Sequence, residues 1–258
     1  PDRQAQGYFV YDSKKSGAIT VSHLRFGHSP IRSTYLVQEA DLVACHQFGL
    51  LDRFDVLETA RHGGTFLLNA PYAADTVWDH LPDVIQREIV ERRLRFFTID
   101  AAAIAAELGM PGRINTIMQP CFFALSDVMP VDEARAAMKA SIEGTYGRRG
   151  RLIVEKNVAA VDRALSELTE VVVPVSWEPT PPDTIDQLVA ARHIGESDFV
   201  DRVTMQMIAG KGDLLPVSAF PVDGTWPTAT SQWEKRNIAS EIPAWDPRIC
   251  IQCNKCAA

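Results

Sequence analysis

Three of the five cysteines crowd the last nine residues, as Cys250-Ile251-Gln252-Cys253-Asn254-Lys255-Cys256. The C-x2-C-x2-C spacing lets one tight loop aim three thiolates at three corners of a 4Fe–4S cubane. A cubane takes four thiolates, and the fourth cysteine of such a run would fall just past Ala258, so this stretch alone is expected to hold no cluster. Two other readings stay open. A structural zinc usually draws four ligands from two separated pairs. A disulfide with a spare thiol needs an oxidising compartment that nothing in the sequence suggests. Cys45 and Cys121 sit singly inside the apolar segments Leu42-Val43-Ala44-Cys45 and Cys121-Phe122-Phe123-Ala124-Leu125, and read as buried structural thiols.

A second cluster lies near the other end: Tyr11-Asp12-Ser13-Lys14-Lys15-Ser16-Gly17, followed by Ser22-His23-Leu24-Arg25-Phe26-Gly27. A strand end that runs into a Ser/Lys/Gly turn offers hydroxyls, ammonium groups and backbone N–H donors together, which suits phosphate or pyrophosphate. The G-x4-G-K-[ST] spacing of a Walker A loop is absent. The bland alternative is an exposed Lys-rich hairpin turn. His23 alternates with apolar residues and reads as a satisfied core histidine rather than a catalytic base.

Gly63-Gly64-Thr65 lacks the third glycine of a dinucleotide fingerprint and reads as a turn before a strand. His46 follows a strand-like run, where open α/β sheets place ligands. No spaced carboxylate pair, nucleophile elbow or His-Glu-x-x-His pattern is present, so a self-sufficient active site is not expected.

The elements that would position these residues alternate between strand-like and helix-like runs. Tyr8–Tyr11 is aromatic and β-branched, and Ala18–Leu24 alternates, with Ile19, Val21 and His23 on one side and Thr20, Ser22 and Leu24 on the other. Thr34–Val37, Asp41–Cys45 and Thr65–Asn69 read as buried strands of a parallel sheet. Pro82 sits where a helix can start, with apolar residues at helical spacing through Arg92. Leu94–Ile99 is strand-like, and Asp100 can cap the Ala-rich helix that Gly109 and Pro111 close. Ile114–Leu125, Val131–Tyr146 and Leu152–Leu168 are helical, and Val171–Val175 is one more strand. The pattern predicts an α/β fold, a mostly parallel sheet with helices on both faces, over residues 1–175. A Pro-rich linker (176–198) and a small irregular module (199–248) follow, and the cysteine run occupies 249–258.

The 258 residues are 46% hydrophobic and 23% charged, with a net charge of −7. That composition is ordinary for a globular chain and argues against nucleic-acid or membrane-surface binding, which favour a basic face. No apolar run is long enough to span a bilayer. Within the acidic chain, Pro1 to Leu36 carries five Lys or Arg against two Asp, a local +3 suited to a small anionic ligand. Pro1-Asp2-Arg3-Gln4 shows neither an initiator Met nor a targeting pattern, so the sequence reads as an internal stretch of a longer, cytoplasmic protein.

The ordered motifs resemble one family along essentially the whole chain. They are Tyr8 to Gly17, Thr20 to Gly27 with Pro30-Ile31, Asn115 to Gln119 with Cys121 to Ser126, Leu215 to Phe220 with Gly224-Thr225, Thr230 to Ala239 around Glu234-Lys235-Arg236, and the cysteine run. Together they resemble the gamma-like domain, the Glu-Lys-Arg-motif module and the first turn of the ferredoxin-like domain of single-chain pyruvate:ferredoxin (flavodoxin) oxidoreductases.

The resemblance implies an enzyme that oxidatively decarboxylates pyruvate, acetylates coenzyme A and passes electrons through 4Fe–4S clusters to ferredoxin or flavodoxin. Thiamine diphosphate with magnesium does the carbon chemistry, in domains this chain lacks, so the chain alone is expected to be inactive and to retain no cofactor. The family's glycine-rich unit ahead of the Tyr8 strand is also missing here. The resemblance implies coenzyme A contacts for Ser13, Lys14, Lys15, Ser16, Gly17, Ser22, His23 and Arg25, and cluster ligation for Cys250, Cys253 and Cys256. The implied partners are the other domains of the same polypeptide, ferredoxin or flavodoxin, and a second copy in a homodimer. Two alternatives stand beside this one: a non-catalytic scaffold module, and the same region of a fusion that passes electrons to NADP.

Overall fold

The computed structural model describes residues 3–11, 19–33, 35–174, 199–233 and 243–255. Strands β1 (Gln4–Tyr11) and β2 (Thr20–Gly27) pair antiparallel in a two-stranded ribbon of their own. The main sheet runs β3 (Ala40–Cys45), β4 (Ala60–Asn69), β5 (Arg95–Ile99) and β6 (Thr169–Glu170) in that order. The first three strands are parallel and the short β6 is antiparallel.

Alternation along β4 and β5 builds two cores, because successive side chains in a strand leave on opposite faces. Phe66 and Phe96 stack at 5.3 Å between centroids and join Leu68 on one face. Helix α1 (Asp83–Glu91) covers that face with Ile85 and Ile89. Leu67, Phe97 and Ile99 point the other way, against α2 (Ala101–Glu107), α3 (Asn115–Leu125) and α5 (Arg151–Glu167). Helix α4 (Val131–Tyr146) packs outside them through Met138 and Ile142 against Val154 and Val161 of α5. This is the expected α/β architecture, a mostly parallel sheet with helices on both faces. Asp100 caps α2 as its sequence position suggests, its Oδ1 accepting the Ala103 N–H at 2.8 Å.

Four local expectations give way. Gly63 and Gly64 are not a turn before a strand; they lie inside β4, where the β3 pairing shifts register between Ala40 and Leu42. Gly63 has φ +74°, and a Cβ on Gly64 would sit 2.9 Å from the Arg61 carbonyl oxygen, so both positions need glycine for backbone reasons. Residues 35–37 form no strand, and Thr34 lies outside the described residues; the Val37 N–H is taken by the His23 side chain instead of a ladder. At the end of the domain the strand is Thr169–Glu170, not Val171–Val175: the Val171 N–H still reaches the Phe96 carbonyl at 2.8 Å, but 171–174 continue without strand geometry and Val175 lies outside the described residues. The ribbon, finally, is separate from the parallel sheet.

Of the chain beyond the domain, residues 199–233 are irregular. A π-helical turn, Val200–Thr204, runs into the single turn of α6 (Met205–Ile208), followed by short 3-10 turns and by Phe199 edge-on to Trp226 at 4.9 Å. Residues 175–198, where the Pro-rich linker is expected, lie outside the described residues. No helix among the described residues is long and apolar enough to cross a membrane.

Candidate functional site

The ribbon carries the first group of expected site residues. Its register sets Gln6 opposite Arg25, Tyr8 opposite His23 and Phe9 opposite Ser22. Residues directly opposite in an antiparallel pair share a face. One face therefore holds Gln6, Tyr8, Val10, Val21, His23 and Arg25, and the other holds Phe9, Leu24, Phe26 and Ser22. Ser22 is thus separated from His23 and Arg25, which it had been expected to join. Phe26 anchors the second face to α3, its ring 5.7 Å from that of Phe122.

Arg25 is held in a defined pose. Its guanidinium lies over the Tyr35 ring, 3.7 Å from the centroid, and its Nη1 donates to Gln6 Oε1 at 3.1 Å. Gln6 is itself fixed, because its Nε2 donates to the Ser33 carbonyl. Arg25 Nη2 is buried and has no hydrogen-bond partner among the described residues. A buried donor on a permanent cation left without an acceptor is costly, and an anion relieves that cost.

His23 stands two residues away on the same face. Its Nδ1 accepts the Val37 N–H at 3.0 Å, which puts the ring proton of the neutral tautomer on Nε2. Burial, and then the charge of Arg25, hold His23 below the ordinary histidine range. It is a neutral donor beside a cation, and its lack of charge at physiological pH leaves the positive charge with Arg25. Ser13, Lys14, Lys15, Ser16 and Gly17 lie outside the described residues. Tyr35 and Gln6 were not found by sequence reasoning. Gln6 has a signal in hindsight, its place across the ribbon from Arg25, whereas Tyr35 meets Arg25 through a loop that no periodicity describes.

The second group is the cysteine run. Cys250 and Cys253 are free thiols, Cys250 half-buried and Cys253 exposed. A turn presents Cys250: the Asp246 carbonyl accepts the N–H groups of Ile249 at 3.3 Å and Cys250 at 3.2 Å. Gln252 and Asn254, on either side of Cys253, take left-handed φ of 54° and 58° and wind the loop tightly. The Trp245 side chain and then the Gln252 backbone N–H hydrogen-bond the Cys250 sulfur and hold its thiol below the ordinary range. Sulfur donors in a tight loop fit thiolate ligation of iron. Cys256 lies outside the described residues, and among the described residues no three His, Cys, Asp or Glu side chains gather at metal-binding distance.

The remaining candidates lie in the core or at the ends of the parallel strands. Cys45 and Cys121 are almost wholly buried, and desolvation pushes their thiols up to about 11 and about 12. At the C-terminal ends of the parallel strands, the buried Asn69 donates to the His46 carbonyl and accepts the Ala101 N–H, both at 2.9 Å. Burial lowers the pKa of the His46 side chain. Asn69 therefore ties β3, β4 and the start of α2 together where an α/β sheet would otherwise open.

The model of the pyruvate ferredoxin/flavodoxin oxidoreductase family matches residues 2–167, and that of EKR, a domain of unknown function, matches residues 187–239. The pyruvate-flavodoxin oxidoreductase of Rhodospirillum rubrum is 57% identical over 258 residues, covering 99% of this chain and 21% of that protein. The putative pyruvate-flavodoxin oxidoreductase of Synechocystis is 51% identical, and the pyruvate:ferredoxin oxidoreductase of Moorella thermoacetica 49% identical, each with 99% of this chain and 21% of that protein covered. The chain thus spans 21% of the length of these curated relatives. A solved structure, the pyruvate oxidoreductase subunit PORC of Thermotoga maritima, superposes loosely, with TM-score 0.48 and 16% identity over 65% of this chain and 81% of that one.

Proposed function

The chain belongs to the pyruvate ferredoxin/flavodoxin oxidoreductase family, and from that membership we propose that it is the coenzyme A-contacting and electron-wiring part of an enzyme that converts pyruvate to acetyl-CoA and CO2. Electrons leave through 4Fe–4S clusters to ferredoxin or flavodoxin, in a cytoplasmic homodimer. The units are the α/β domain (1–175), a linker (176–198), the Glu-Lys-Arg-motif module (199–248) and the opening of the cluster domain (249–258). Thiamine diphosphate with its magnesium supplies the carbon chemistry when bound, and no residue of this chain is assigned to it.

The observation that carries the reading is the Nη2 of Arg25, unpaired among the described residues, on a ribbon whose two strands are linked in sequence by a segment containing Ser13, Lys14, Lys15, Ser16 and Gly17. Coenzyme A presents a 3′-phosphate and a pyrophosphate, and so needs several donors and more than one cation in a small space. Arg25 offers a fixed donor of permanent charge, held by Tyr35 and Gln6. Neutral His23 adds a hydrogen bond at Nε2. Ser22, on the opposite face of β2, stays in the candidate set only for a ligand that wraps the edge of the ribbon. The cysteines take the second role: Cys250, Cys253 and Cys256 hold one cluster with a fourth thiolate from elsewhere.

One observation favours a scaffold reading instead. Phe9, Tyr11 and Leu24 leave the second ribbon face apolar and exposed, as a surface that only docks neighbouring domains would be. Equilibrium dialysis of coenzyme A against the full-length protein separates the two. Arg25→Ala should weaken binding while Phe9→Ser should not; the reverse pattern would establish the scaffold.

A further inference from the structure

The ribbon face that carries Arg25 and His23 is gripped by the connection that leads from β2 to β3. Every second residue of one stretch meets it. The Ser33 carbonyl accepts from Gln6 Nε2, the Tyr35 ring lies against the Arg25 guanidinium at 3.7 Å, and the Val37 N–H donates to His23 Nδ1 at 3.0 Å. Burial in a core does not account for the place of Tyr35, which is 58% exposed. Nor does a strand ladder, because residues 35–37 form no strand. What Ser33, Tyr35 and Val37 share is a contact with a polar side chain of one ribbon face.

These contacts leave Arg25 in a particular state. A guanidinium laid against a ring directs its N–H groups outward in its own plane. Gln6 Oε1 takes Nη1 at 3.1 Å, and Nη2 stays buried without a hydrogen-bond partner among the described residues. A long side chain that closes on a ligand ordinarily loses rotamer freedom in doing so. Here Tyr35 and Gln6 impose the pose beforehand, and the Val37 N–H fixes which nitrogen of His23 can donate.

We infer that Tyr35 and Gln6 are positioning residues for coenzyme A: the connection after β2 clamps Arg25 so that its Nη2 meets a phosphate group of the ligand with no further ordering. The inference rests on the reading of the ribbon as a coenzyme A site. Such preorganisation adds affinity and touches no reacting atom, so its loss falls on KM rather than kcat.

The test measures coenzyme A binding by equilibrium dialysis and coenzyme A kinetics on the full-length enzyme. Tyr35→Leu removes the ring and keeps an apolar side chain. It should weaken binding roughly three- to tenfold and raise the KM for coenzyme A by the same factor, with kcat retained at saturation. Tyr35→Phe keeps the ring against the guanidinium and should restore wild-type binding. Gln6→Glu sets a carboxylate beside Arg25, where it pairs with the guanidinium and offsets the charge the phosphate needs, so it should weaken binding as well. Wild-type binding in Tyr35→Leu or in Gln6→Glu, a Tyr35→Phe variant as weak as Tyr35→Leu, or a lowered kcat with unchanged KM would each overturn the inference. Arg25→Ala tests the underlying reading separately. If it leaves coenzyme A binding unchanged, Arg25 is not at the site; if it alone weakens binding, the site stands and its positioning by Tyr35 and Gln6 does not.

Discussion

Lys211 Nζ lies 3.1 Å from Asp55 Oδ2 and joins two parts of the chain 156 positions apart in sequence. The Glu88 side chain on α1 lies near Asp55, so two carboxyls and one ammonium meet where the irregular segment touches the α/β domain. Burial first, and the nearby Asp55 second, push the Glu88 carboxyl up to about 7, against the partial counterweight of Arg92. A group whose pKa is raised on folding contributes stability that is complete below its ordinary value and is lost as pH rises through the folded one.

Glu88 should therefore make the folded protein lose stability between about pH 4.5 and about pH 7. Glu88→Gln mimics the protonated form. It should flatten this part of the stability–pH curve in thermal unfolding and raise the melting temperature at pH 8. A steeper curve in the variant would mean that Glu88 is charged in the native state.

Asn69→Ala removes the partner of two backbone groups, the part-buried His46 carbonyl and the buried Ala101 N–H. Denaturant unfolding should show a loss of about 1–3 kcal/mol for each group left unpaired. A change within error would mean that water or a rearranged loop takes over both contacts.

The buried thiols should be inert. With their thiols pushed up to about 11 and about 12, Cys45 and Cys121 hold almost no thiolate at pH 8, and their sulfurs are shielded as well. Peptide-resolved alkylation of the folded protein, cleared of iron, should label Cys250 and Cys253 and spare Cys45 and Cys121 until denaturant is added. Equal labelling of all four before denaturation would contradict the core described here.

What the sequence revealed depended on range. The Asp100 cap and the alternation of Phe66, Leu67 and Leu68 were legible because they rest on neighbours a few residues away. Alternation along Ala18–Leu24 also put His23 and Ser22 on opposite sides before any partner strand was known, whereas the face of Arg25 came from the register of the ribbon. It does not say which strands pair, so the separation of the ribbon from the parallel sheet was hidden, as was the use of the Val37 N–H by His23. Gly63-Gly64 looked like a turn because a glycine pair signals positive φ equally in a turn and in a bulge. Tyr35 over Arg25 and Asn69 beneath Ala101 are tertiary contacts with no periodic trace. The cysteine run was legible by spacing alone.

The coenzyme A dependence of the full-length enzyme tests the central claim most directly. Arg25→Ala removes a fixed guanidinium whose Nη2 has no partner among the described residues, while leaving Gln6 and Tyr35 in place. Loss of a charge-assisted contact of about 1.5–3 kcal/mol should raise the KM for coenzyme A roughly ten- to a hundredfold. Lys14→Ala or Lys15→Ala, whichever side chain faces the ligand, should act in the same direction. The KM for pyruvate and the slow reduction of the clusters by pyruvate without coenzyme A should hardly change, because other domains perform them. If the coenzyme A dependence stays unaltered in all three variants while pyruvate oxidation collapses, the ribbon is structural and the coenzyme A assignment is wrong.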